Sequence, residues 1–176
     1  METDHPSASA GSPSGAPRFG VIIASAIFVA DQATKLMILF WARLEDTGPW
    51  SVLPFLDFVM VWNRGISYGL FQQSTEIGRW ALIVLSIAAS IWLSFWLRGS
   101  TRRREALALG LIIGGALGNV IDRIAYGAVA DFVHLHWGDW SWYVFNIADA
   151  AIVVGVIVLL YDALRSEGGK GGASPS

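Results

Sequence analysis

Four long apolar runs constrain this chain more than any other feature. A helix that crosses a bilayer needs about 20 mainly apolar residues. The runs extend from about Phe19 to Ala42, Arg79 to Leu97, Glu105 to Ile124 and Ile147 to Ala163. Only 15% of the residues are charged and mean hydropathy is +0.51. Soluble domains carry about 25% charged residues, so much of this surface must face lipid. The formal net charge of −2 gives nucleic acid no electrostatic hold. The chain has no cysteine, which excludes disulfides, thiolate metal sites and a cysteine nucleophile.

The expected fold is therefore a membrane all-α domain over residues 18–166, with four transmembrane helices and a small β element. Residues 1–17 and 167–176 are rich in Ser, Pro, Gly and Ala. They lack an apolar face and are expected to be disordered cytoplasmic tails. The start lacks a basic n-region, and its first apolar run is too long for a cleavable signal peptide.

Arginines set the expected orientation. Arg98, Arg102, Arg103 and Arg104 crowd the link between runs two and three. The positive-inside rule makes that link cytoplasmic, and with it both termini. Arg18 and Arg165 agree with this placement. Two loops then face outward, roughly 43–78 and 125–146. Trp41, Trp50, Trp62, Trp80, Trp137, Trp140 and Trp142 lie in these loops or at their edges. Indoles favour the headgroup layer, so the loops are expected to lie on the membrane. Ser51–Trp62 and Phe132–Val144 are rich in β-formers and predict a short outer-face sheet built by the two loops. Gly110, Gly114 and Gly118 recur every fourth residue in run three, a stripe that lets another helix approach closely. Ser86, Ser90 and Ser94 form a similar stripe in run two.

Polar residues inside the runs converge at one depth. With a rise of about 1.5 Å per residue, Asp31 lies about 20 Å and Lys35 about 26 Å from the inner end of run one. The same rise puts Asn119 about 20 Å and Asp122 and Arg123 about 25 Å up run three. Asn146 and Asp149 open run four at its outer end, and Asp131 follows run three in the outer loop. Charges within a bilayer are expensive and usually mark function. Plain structural readings exist beside this one. Asp31 and Lys35 are spaced i, i+4 and can neutralise each other. Asn146 has the position of an N-cap, with Asp149 at N3. Arg123, one turn beyond Asn119, can snorkel to headgroups or orient a substrate.

Two carboxylates that share a proton form an acid–base pair, because like charges at close range split their pKa values. The ionised member takes a proton from water, and the protonated member supports the carbonyl and the leaving amine. A helix N-terminus stabilises negative charge, which suits Asp149 as the base. Such chemistry calls for no metal and no cofactor. His134 and His136 share a strand face, but no HExxH motif accompanies them, and His5 is the only other histidine. Lys35 has no evident serine partner for a Ser–Lys dyad. Depth alone leaves Asp31, Asp122, Asp131 and Asp149 all eligible as members of the reacting pair. A transporter using the same acids would need polar groups along a full pathway, and the inner two-thirds of the runs are nearly free of charge. A non-enzymatic assembly factor would account for the glycine stripe but not for the convergent acids.

Five motifs occur in order along the chain: Asp31-Gln-Ala-Thr-Lys35; Asn63-Arg-Gly65-Ile-Ser-Tyr-Gly-Leu-Phe71; Gly114-Gly-Ala-Leu-Gly-Asn119-Val-Ile-Asp122-Arg123; Val129-Ala-Asp131-Phe-Val133; and Phe145-Asn-Ile-Ala-Asp149-Ala. Together they resemble the lipoprotein signal peptidases (signal peptidase II), bacterial membrane aspartic peptidases. The resemblance implies that Asp131 and Asp149 are the catalytic pair. It implies that Asn63, Gly65, Asn119, Asp122, Arg123 and Asn146 shape the site or hold substrate, with Asp31 and Lys35 beside them. It further implies a diacylglyceryl-modified prolipoprotein as substrate, cut before its lipidated cysteine at the outer face of the bacterial inner membrane. Membrane lipids surround such an enzyme, and cyclic peptide antibiotics such as globomycin inhibit it near Asp131 and Asn119. A monomer is expected. The chain carries Ile66-Ser67-Tyr68 where the family often has Ala-Ala-Phe, and Arg64 and Tyr68 lie in the loop expected to move as substrate enters.

Overall fold

The computed structural model describes residues 15–65 and 76–168. Helix α1 spans Ala16–Leu36 and runs on through a π-helical turn, Met37–Ala42. A short helix α2 covers Leu44–Thr47. Strands β1 (Trp50–Leu53) and β2 (Leu56–Asn63) follow, then helices α3 (Glu76–Gly99) and α4 (Arg103–Tyr126). Strands β3 (Val129–Trp137) and β4 (Trp140–Ser141) lead to helix α5, Ile147–Gly168.

Four helices are long and apolar enough to cross a membrane: Ala16–Ala42, Glu76–Gly99, Arg103–Tyr126 and Ile147–Arg165. They match the four expected runs, with ends displaced by a few residues. Ala16 and Pro17, expected in the N-terminal tail, already belong to α1, where a proline in the first turn costs no hydrogen bond. Residues 1–14, residues 169–176 and the stretch 66–75, which includes Ile66, Ser67, Tyr68 and Phe71, lie outside the described residues.

Helix α4 is the hub. More than half of its apolar window (56%) is buried, against 17–22% in the other three helices. The glycine stripe explains how. A Cβ on Gly110 would lie 2.5 Å from the Gly20 carbonyl oxygen of α1, and one on Gly114 would strike the Ala24 carbonyl. On the neighbouring face, a Cβ on Gly115 would lie 2.5 Å from the Ala148 carbonyl of α5. Missing side chains thus let both backbones press onto α4, where dispersion replaces the hydrophobic drive that lipid removes. The serine stripe behaves differently. Ser90 and Ser94 donate back to the Ser86 and Ser90 carbonyls, so the hydroxyls are satisfied within α3 itself.

The strands form one antiparallel sheet in the order β1–β2–β3–β4. Each expected β-rich stretch splits into two strands, and β3 starts at Val129, three residues earlier than expected. Asp131 is therefore a strand residue opposite Val61, not a loop residue. The sheet is seated on the end of the first span: Ile38 and Ala42 of the π turn and Leu44 of α2 pack against Phe132 of β3. Arg43 makes the bend between them with φ 51°, a left-handed conformation uncommon for a residue with a Cβ.

Candidate active site

The site grows from one buried lysine. Lys35 Nζ lies 2.8 Å from Asp31 Oδ2 and 2.8 Å from Asp122 Oδ2, and it donates to Asn119 Oδ1 at 3.1 Å. An ammonium has three protons, and all three are engaged. Lys35, Asp31 and Asp122 are almost completely buried, so the cluster depends on the ion pairs and hydrogen bonds made within it.

Each of the two carboxylates then anchors a distant backbone. Asp31 Oδ1 accepts from the Ala148 N–H, in the first turn of α5, at 2.9 Å. Asp122 Oδ2 accepts from the Ala130 N–H of β3 at 3.1 Å. Gln32 reinforces the pair, donating to Asp122 Oδ1 at 3.0 Å and to the Gly118 carbonyl at 3.2 Å. In the sequence Gln32 appears only within the first motif, beside Asp31. Its span position was the available signal, but its partners lie on α4, 86 and 90 residues away.

The residues flanking those two anchors are Asp131 and Asp149, one on β3 and one on α5. Asp131 is buried and accepts from Asn146 Nδ2 at 2.7 Å and from Asn63 Nδ2 at 3.0 Å. Asn63 is held in turn by the Gly65 N–H, which donates to its Oδ1 at 3.0 Å. Asp149 is half-buried and accepts from Asn119 Nδ2 at 2.8 Å. The Asp149 N–H donates to Asn146 Oδ1 at 2.9 Å, and the Asn146 N–H reaches Asp149 Oδ2 at 3.4 Å. This is the reciprocal cap expected from the sequence. Asn146 does more than cap, because its amide nitrogen is committed to Asp131. A single fully buried asparagine therefore ties both aspartates together.

Burial pushes the Asp131 carboxyl up from 3.8 to about 7, and the Asp149 charge nearby adds to the rise. The hydrogen bonds from Asn63 and Asn146 and the Lys35 charge oppose it. Arg123 lies within electrostatic range of Asp149, Asp131 and Asp122, yet its one hydrogen bond among the described residues is to the Asn119 carbonyl, at 3.3 Å. All ten sequence candidates are thus joined in one hydrogen-bonded assembly: Asp31, Lys35, Asn63, Gly65, Asn119, Asp122, Arg123, Asp131, Asn146 and Asp149.

His134 and His136 belong elsewhere. They lie farther along β3, with their rings stacked 5.4 Å apart and Asp57 Oδ2 3.1 Å from His136 Nε2.

Comparison with known proteins decides the kinship. The family model described as signal peptidase (SPase) II matches residues 23–165. The chain belongs to the signal peptidase II family. A lipoprotein signal peptidase of Methylobacterium radiotolerans is 60% identical over 159 residues, covering 90% of this chain and 93% of that one. One from Methylorubrum extorquens is 61% identical over 148 residues, covering 84% and 86%. Among solved structures, a bacterial membrane enzyme determined in meso at 2.3 Å superposes with a TM-score of 0.74 at 25% identity, over 89% of this chain and 94% of that one. The family membership and the four helices make this a multi-pass membrane peptidase.

Proposed function

We propose that this protein removes the signal peptide from diacylglyceryl-modified prolipoproteins, with Asp131 and Asp149 as the reacting pair. The observation that carries the assignment is the division of labour among four aspartates at one depth. Asp31 and Asp122 share the Lys35 ammonium and are bonded to backbone N–H groups. Asp131 and Asp149 receive only neutral asparagine amides and backbone, which leaves their proton chemistry available.

With a pKa of about 7, Asp131 is protonated in about half of the molecules at neutral pH and supplies the acid of the pair. Asp149, at the start of α5, is the base. It takes a proton from a water molecule as the hydroxide oxygen bonds to the scissile carbonyl carbon. The Asp131 proton stabilises the developing oxyanion, and a proton passes to the nitrogen as the C–N bond breaks. Asn119 and Asn146 keep the carboxylates in register, and Arg123 orients the substrate main chain. The diacylglyceryl chains stay in lipid while the cut falls before the modified cysteine.

The arginines at 98 and 102–104 support a cytoplasmic position for both termini and a site at the periplasmic face of the inner membrane. Ordinary membrane lipids surround the helices. A monomeric unit is supported by the fact that one chain holds every partner in the described network. Cyclic peptide antibiotics of the globomycin type bind against Asp131 and Asn119. The test is cleavage of a diacylated prolipoprotein. Asp131→Asn and Asp149→Asn should each abolish turnover while the protein stays folded, and full activity in either variant would remove the dyad.

A further inference from the structure

A lipid-facing groove between α1, α3 and α4 has no part in the chemistry above. Its space is about 600 Å³, lined by Pro17, Val21, Ser25 and Val29 of α1, Leu97 of α3 and Ile113 of α4. A smaller groove of about 260 Å³ lies on the other side of the α3 edge, against Ile87, Ile91 and Phe95. The two spaces share Ser94, Arg98 and Leu117. Two apolar channels therefore meet at one guanidinium.

That guanidinium is available. Arg98 is exposed, stacks on the Phe95 ring at 5.3 Å and has no ion pair among the described residues. The acid at the same membrane edge, Glu105, is taken up by Trp96 Nε1 and Ser100 Oγ, each at 2.7 Å. Asp162 is paired with Arg102. Arg103, 5.9 Å above the Phe19 ring, adds positive charge at this edge.

Length and charge select the occupant. From Pro17 to Val29 the groove climbs about 18 Å at the helical rise of about 1.5 Å per residue. It ends near the middle of a hydrocarbon core about 30 Å thick. A spanning signal helix needs a track across the whole core, and its basic n-region would meet Arg98 with like charge. A two-chain lipid with an anionic headgroup meets both conditions. We propose that the α1–α3–α4 groove is a binding site for an anionic glycerophospholipid of the cytoplasmic leaflet, with its phosphate on Arg98 and one acyl chain in each channel. The leaflet assignment rests on the orientation proposed above. The binding itself does not.

The experiment is native mass spectrometry of the full chain in detergent, incubated with equal amounts of phosphatidylglycerol and phosphatidylcholine. The expected result is about fivefold preferential retention of phosphatidylglycerol, the worth of one basic residue at a membrane surface. Arg98→Gln should bring the ratio close to one. Ser25→Phe should fill the larger channel from its exposed side and lower retention of both lipids. Arg165→Gln is the control. It removes a charge at the same membrane edge from α5, where Arg165 stacks on Tyr161, and should leave the ratio unchanged. Equal retention of the two lipids overturns the site. So does an Arg165→Gln effect as large as that of Arg98→Gln, which would mean a diffuse positive edge. Displacement of the lipid by a synthetic precursor signal helix would reassign the groove to substrate. Because sidedness plays no part in detergent, an error in orientation would move the lipid to the other leaflet without abolishing the preference.

Discussion

Replacing Lys35 with methionine keeps a long apolar stem and removes one charge. Asp31 and Asp122, at 0% and 1% exposure, then stand without their cation. Deleting one partner of a buried ion pair costs about 3–5 kcal/mol. One ammonium serves two carboxylates here, so simple addition doubles that figure. The true loss is smaller, because a stranded buried carboxylate takes up a proton instead of staying charged. We expect a loss of about 3–5 kcal/mol in total. Adding Asp31→Asn and Asp122→Asn should recover about 2 kcal/mol of it. Neutral amide oxygens can still accept from the Ala148 and Ala130 N–H groups, while the unpaired charge is gone. Reversible unfolding in detergent micelles measures all three proteins, and cleavage rates show whether α5 and β3 regain their positions. A loss below about 1 kcal/mol for Lys35→Met would refute the reasoning, since it lies under the range for any buried pair. So would asparagine substitutions that deepen the loss.

The pH profile offers further checks. If the Asp131 proton is required, kcat/KM should fall about tenfold per unit as pH rises above about 7. Asn63→Ala removes a hydrogen bond that favours the ionised carboxylate, so this alkaline limb should move to higher pH; a move to lower pH would contradict the assigned role of Asn63. Stability follows the same group. Folded Asp131 keeps a proton between pH about 4 and 7 that the unfolded chain has released, so stability falls as pH rises through that window. Asp131→Asn should therefore be more stable than the parent at pH 8, by up to about 4 kcal/mol, and no more stable below pH 4; chemical denaturation at the two pH values tests this. Gly114→Ala would drive a methyl into the Ala24 carbonyl, and unfolding should show a loss of about 1–3 kcal/mol because backbone cannot yield as a side chain can.

Much of the fold was legible in one dimension. The four runs declared the spans, and the glycines at 110, 114 and 118 marked a close helix contact. Asn146 and Asp149 declared a cap because both partners sit within one helical turn. Local signals of this kind need only a period and a rise. The small sheet was legible in kind but not in extent. β-propensity in Val129–Asp131 is weak on its own, and the strand exists there because β2 pairs with it.

The sequence by itself determined how deep each polar group sits, because depth is residue number multiplied by helical rise. It left Asp31, Asp122, Asp131 and Asp149 equivalent, and the family motifs alone separated them. Tertiary structure decided which of the four meet Lys35 and which meet asparagines. Those partners lie up to 87 residues apart along the chain, from Lys35 to Asp122, and they are brought together by how the helices are rotated against one another and by where β3 meets the end of α4. Hydropathy reports the axis of a helix and says little about its rotation against a particular neighbour. The ammonium of Lys35 can reach only the groups that rotation turns toward it. That geometry is why two of four similar aspartates became anchors on Lys35 while the other two were left to neutral asparagine amides.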